Sequence, residues 1–137
     1  MTTRHPPRVL DASAVVELLQ GHPMMMTMLA DALAGWINML LPASAIAEAQ
    51  AAVRLPASTW DHILRLHGTV VLDLTGRNAL EVGIFASPRL EHHPVQPLLT
   101  GPLMAGHVLQ EAVETKAVIF TRIPELYGGH DVAVRAI

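Results

Sequence analysis

The stretch Arg8-Val-Leu-Asp-Ala-Ser-Ala-Val-Val-Glu-Leu-Leu-Gln20 decides the fold. Arg8 to Leu10 reads as a short buried strand that ends on Asp11. A helix over Ala14 to Gln20 follows at once, and Gly21 and Pro23 end it. A strand that turns directly into a helix is the unit of an open α/β sheet, whose ligand crevice lies at the carboxyl ends of the strands. Asp11 stands at that junction, where it could hold a metal ion if a second carboxylate met it.

Working outward, the same unit recurs. Met24 to Ala34 predicts a second helix, with Met25, Met28, Leu29 and Ala32 on one stripe. A strand over Ile37 to Leu41 follows, and Pro42 opens a helix to about Val53, proline being tolerated in a first helical turn. Ser58-Thr-Trp-Asp61 has the spacing of a capping box. The helix it starts would carry Trp60, Ile63, Leu64 and His67 on one face, with Gly68 as its stop. Thr69 to Leu74 is expected as a strand, and Asn78 to Phe85 as a helix stopped near Pro88. The proline-rich residues Glu91 to Pro102 read as a loop. Ala105, Val108, Leu109, Ala112 and Val113 make a helical stripe within Leu103 to Lys116. Ala117 to Thr121 is a strand, Pro124 to Tyr127 a turn or short helix, and Asp131 to Ile137 a final strand.

Strands separated by helices imply parallel crossovers and a sheet covered on both faces. The expected architecture is a single α/β domain over residues 1–137, a three-layer α/β/α sandwich around a mainly parallel five-stranded sheet. Residues 1–7 are expected as a loose tail because of Pro6-Pro7.

Composition agrees. Hydrophobic residues are 51% of the chain and charged residues 15%, as in a sheet buried on both sides. A membrane span fits poorly, because the longest apolar stretch, Met24 to Leu41, is broken by Asp31, Gly35 and Asn38. The N-terminal residues carry no apolar run of the secretory type, and cysteine is absent. Both fit a cytoplasmic protein. The net charge is −3 and the nine basic residues are scattered, so no basic face for nucleic acid is evident. Any RNA contact would be local, or helped by a second subunit or a metal. The eight histidines lack helical metal-pair spacing, and no glycine-rich phosphate loop is present.

Glu48 is the one good partner for Asp11. Its helical neighbours Ser44, Ala45, Ala51 and Ala52 are small and none is basic, so it has no local ion pair. If the first two strands are adjacent, the two carboxylates converge at one rim, and a hard cation such as Mg²⁺ would relieve their repulsion. The plainer alternative is an Asp that caps a helix and a Glu on its surface.

At these residues the chain resembles the PIN domain family, especially the small bacterial toxins of VapBC-type toxin–antitoxin pairs. The matching pieces are Val9-Leu-Asp-Ala-Ser13, Leu41-Pro-Ala-Ser-Ala-Ile-Ala-Glu48, His107-Val-Leu-Gln-Glu-Ala112 and Val118-Ile-Phe-Thr-Arg122. The resemblance implies a Mg²⁺- or Mn²⁺-dependent ribonuclease with an acidic metal cage. Asp11 and Glu48 match the first two acids as catalytic and metal-holding residues, and Ser13 and Thr121 match supporting hydroxyls. The third acid would fall near Ala105 and the fourth at Ile123, and both are missing. His107 and Glu111, four apart, are expected on a solvated flank of their helix.

Two functions follow. One is a PIN-type ribonuclease with a weakened site, the toxin of a toxin–antitoxin pair. The other is an inactive PIN-fold module that binds RNA or a protein partner such as an antitoxin. The methionine cluster at residues 24, 25, 26 and 28 suggests a homodimer or partner interface.

Overall fold

The computed structural model describes residues 5–92 and 97–137, those at 90–92 by backbone alone. Residues 1–4 of the expected tail, residues 93–96 of the expected loop, and the His92-His93 pair as a pair lie outside the described residues. Five strands form one sheet: β1 (Arg8–Leu10), β2 (Met39–Pro42), β3 (Thr69–Leu72), β4 (Val118–Thr121) and β5 (Ala133–Ala136). Their order is β3-β2-β1-β4-β5, and every neighbouring pair is parallel. Val9 registers with Leu40 on one side and Ile119 on the other.

The connections are α1 (Ala12–Leu19), α2 (Pro23–Leu33), α3 (Ala43–Val53), α4 (Ala57–Leu64), α5 (Gly76–His92) and α6 (Pro102–Thr115), with a 3₁₀ turn at Pro124–Tyr127. Alternation along the strands sorts the core into two clusters. Leu10, Met39, Leu41 and Phe120 face one side, with Val15 of α1, Met25 and Met28 of α2 and Trp60 of α4. Val9, Leu40 and Ile119 face the other, with Met104, Val108 and Leu109 of α6 and Tyr127. The expected three layers are present.

Several boundaries differ from the sequence reading, each for a local reason. The first helix begins two residues early because the Asp11 side chain caps it by accepting from Ala14 N. Ser58 and Asp61 form no capping box. Helix α4 starts at Ala57 behind Pro56 without a side-chain cap, and it ends before His67, which is exposed. Helix α5 runs from Gly76 through Pro88 to His92 rather than stopping. Its start is set by Thr75 and Asn78, which exchange side-chain and backbone hydrogen bonds at 2.7–3.2 Å. Pro7 is already part of the sheet margin, its carbonyl accepting from Val118 N at 3.0 Å. In α2, Met25 and Met28 are buried while Met24 and Met26 stay exposed.

The expected solvated flank of α6 is also corrected. His107 is fully buried and Glu111 nearly so, whereas Val113 of the expected stripe is exposed. Helix α6 packs on the sheet with one side and on α5 with another. Gly106 allows the close approach: a Cβ there would lie 2.5 Å from the Val82 carbonyl oxygen of α5.

Candidate functional site

The strand order places β1 in the middle. The chain fills β2 and β3 on one side of it, then returns to β4 and β5 on the other. The carboxyl ends of β1 and β4 are therefore the switch point where open α/β sheets bind ligands. Asp11 follows β1 there, and Thr121 ends β4.

Asp11 is completely buried, and both of its carboxylate oxygens accept hydrogen bonds. Its Oδ1 accepts from Ser13 Oγ at 2.7 Å and from Ala14 N at 3.0 Å. Its Oδ2 accepts from the Tyr127 hydroxyl at 2.8 Å. Ser13 Oγ lies 3.3 Å from Thr121 Oγ1. Since the single Ser13 proton goes to Asp11, Thr121 is the donor in that contact. Arg122 N in turn donates to Ser13 Oγ at 3.0 Å, and Ile123 N to Thr121 Oγ1 at 2.9 Å. The hydroxyls of Ser13 and Thr121 thus tie the end of β4 to the start of α1.

Glu48 reaches the same rim from α3. It is half-buried, and Gly101 N, just ahead of α6, donates to its Oε1 at 2.8 Å. Desolvation raises its pKa, the Gly101 hydrogen bond opposes that, and the charge of Asp11 raises it further. Glu48 therefore lies near enough for the charge of Asp11 to bear on it, β1 and β2 being adjacent. Gly101 is part of this arrangement, because a Cβ on it would collide with the Glu48 carboxylate. Among the described residues, neither acid has a Lys or Arg within salt-bridge distance. Arg122 instead pairs with Glu17 at 2.7 Å.

Tyr127 is the residue that sequence reasoning missed. It is the chain's single tyrosine, carried inward by the 3₁₀ turn. Burial raises its pKa well above the ordinary phenol value, and the charge and hydrogen bond of Asp11 raise it further. The nearby Arg89 guanidinium opposes the shift, while Arg89 Nη1 donates to the Leu126 carbonyl at 2.8 Å. The phenol is thus a firm proton donor to Asp11. A lone tyrosine next to a Gly-Gly turn was the available signal.

A second polar cluster lies alongside. Ser44 Oγ and His107 Nδ1 are 2.5 Å apart, which links α3 to α6 one turn from Glu48. His107 Nε2 stands 3.5 Å from Glu111 Oε1 without a hydrogen-bond partner. Burial lowers the His107 pKa, which favours the neutral imidazole, with the Asp73 backbone carbonyl working the other way.

A divalent ion held by Asp11 and Glu48 would share them with donors already in place: both Asp11 oxygens and one Glu48 oxygen accept hydrogen bonds from the protein. Ala105 and Ile123 occupy the two positions at which the resemblance implies further acids. Among the described residues, no group of three or more His, Asp or Glu side chains could hold an ion.

No family model matches the chain, and no curated protein matches it either. Solved structures do. VapBC2 from Rickettsia felis, bound to a promoter DNA fragment, is similar over 94% of this chain and 97% of its own, at 17% identity and TM-score 0.66. A toxin–antitoxin complex from Klebsiella pneumoniae is similar over 93% and 95%, at 11% identity and TM-score 0.60. FitAcB from Neisseria gonorrhoeae is similar over 93% and 95%, at 18% identity and TM-score 0.55. The all-parallel five-stranded sheet, the six helices among the described residues and this likeness give the chain the PIN-type fold that its sequence pieces anticipated.

Proposed function

We propose that the chain is a PIN-fold module of the toxin–antitoxin type that works by binding a protein partner, with its acidic pair held in hydrogen bonds in place of a nuclease metal centre. The carrying observation is the Tyr127 hydroxyl on Asp11 Oδ2, which gives the second carboxylate oxygen a donor as well. A buried carboxylate satisfied by three donors has little need of a cation, and stripping those donors would cost free energy. The partner half of the reading draws on the toxin–antitoxin complexes of similar fold.

A second reading is a Mg²⁺- or Mn²⁺-dependent ribonuclease carried by Asp11 and Glu48. One observation favours it: neither acid has a described Lys or Arg within salt-bridge distance, so burial and then the charge of Asp11 raise the Glu48 pKa with no cation to oppose them. One experiment separates the two: cleavage of single-stranded and structured RNA with Mn²⁺ or Mg²⁺, wild type beside Asp11→Asn. The partner reading expects no cleavage above that of the variant. Cleavage by wild type alone would install the ribonuclease.

A further inference from the structure

Helices α5 and α6 lie side by side and leave an open groove of about 1050 Å³ between them. It is lined by apolar side chains with little cover. Leu80 and Ile84 of α5 are 77% and 70% exposed, and Val113 of α6 is 53% exposed. Leu80 and Ile84 are four apart, so they form a ridge along the α5 axis, and Val113 lines the groove from α6.

The polar lining has a marked charge imbalance. Glu81 of α5 and Glu111 and Glu114 of α6 line the groove with a single cation, Arg77. Their described hydrogen-bond partners are side-chain amides. The Gln110 amide donates to Glu114 at 2.5 Å and to Glu81 at 3.4 Å, and the Asn78 amide donates to Glu111 at 3.3 Å. None of the three lies within salt-bridge distance of a described Lys or Arg. The one contact of that kind among the described residues runs from the buried His107 Nε2 to Glu111 Oε1 at 3.5 Å.

We infer that this groove receives a basic amphipathic helix from a protein partner. The inference deepens the partner-binding reading by giving the partner a chemistry and a place. A trough between two packed helices accepts a third through its ridges. Leucine-like residues at i, i+3 and i+4 would meet Leu80, Ile84 and Val113, while Lys or Arg on the flanks would answer Glu81 and Glu114. A second copy of this chain fits worse. Pairing two such grooves would close six carboxylates over two arginines, like charge against like charge.

The test uses the full chain and a labelled amphipathic Leu/Lys peptide of about 18 residues, followed by fluorescence anisotropy. Its controls are a scrambled Leu/Lys peptide and a Leu/Glu peptide with the same apolar spacing. The Leu/Lys peptide should bind most tightly, and added salt should weaken it. Leu80→Ser with Ile84→Ser, and separately Glu81→Lys with Glu114→Lys, should each weaken binding roughly tenfold or more. All four side chains project from helix faces at the groove, and circular dichroism would verify that the variants stay folded.

Equal binding by wild type and both double variants would overturn the inference, as would equal binding of the scrambled or acidic peptide. So would a wild-type dimer that the Leu80→Ser/Ile84→Ser pair turns into a monomer in sedimentation. RNA cleavage specific to wild type would instead remove the partner-only reading and leave the peptide result standing.

Discussion

Tyr127→Phe isolates the contact on which the site reading turns. The substitution removes one oxygen and keeps the ring, so packing against Val9, Leu109 and Ile119 in that core cluster is largely retained. What is lost is the 2.8 Å hydrogen bond to Asp11 Oδ2. A hydrogen bond to a charged group contributes about 1.5–3 kcal/mol, so urea unfolding should show a loss of that size. For a domain of this length it corresponds to a fall in Tm of roughly 5–12 °C. The freed Asp11 oxygen would then be left without a donor. At a Mn²⁺ concentration about tenfold above its Kd for the variant, binding would return about 1.4 kcal/mol. Wild type, with the phenol in place, should gain less than about 1 °C from the same Mn²⁺. Differential scanning fluorimetry with and without Mn²⁺ reads both numbers. An unchanged midpoint in Tyr127→Phe, or an equal Mn²⁺ response in the two proteins, would refute the reasoning.

Gly106→Ala should destabilise the fold by about 1–3 kcal/mol despite the better helix propensity of alanine, because the new Cβ presses on the α5 backbone; chemical denaturation checks it. Glu48 has a folded-state pKa raised above the ordinary 4.5. Its contribution to stability is therefore best below that value and declines as pH rises through the raised one. Glu48→Gln should remove this decline, so the variant should gain on wild type between pH 4.5 and neutrality in denaturation curves taken across pH. His107 has the opposite sign. Its pKa is lowered below the ordinary 6.5, so its contribution is full above that pH and fades as pH falls through it. In His107→Gln the acid limb beginning near pH 6.5 should flatten, and an unchanged limb would show that another group titrates there.

The parts of this molecule governed by local pattern were readable from residues alone. Strand, carboxylate and helix at residues 8–20 gave β1, the α1 cap region and Asp11, and small side chains around Glu48 marked a face open to close approach. Ser13 and Thr121 stand together because β1 and β4 are neighbours. The elements that escaped depend on a second layer of packing. Helix α5 is weakly apolar and contains Pro88, so no stripe announced its length. Without it, His107 and Glu111 could only read as a wet flank. Gly106, between Ala105 and His107, was the available sign that another backbone comes near. Tyr127 and Gly101 contribute through contacts more than 50 residues distant, beyond the reach of periodicity.

The cap that Asp11 places on α1 changes how mutagenesis at this position must be designed. Alanine at 11 would abolish an anionic group and unfasten the first turn of a central helix together, at a cost of about 0.5–2 kcal/mol from the second effect alone. A dead Asp11→Ala protein would thus report damaged architecture as readily as missing chemistry. Asparagine holds the turn nearly as well, so it separates the two.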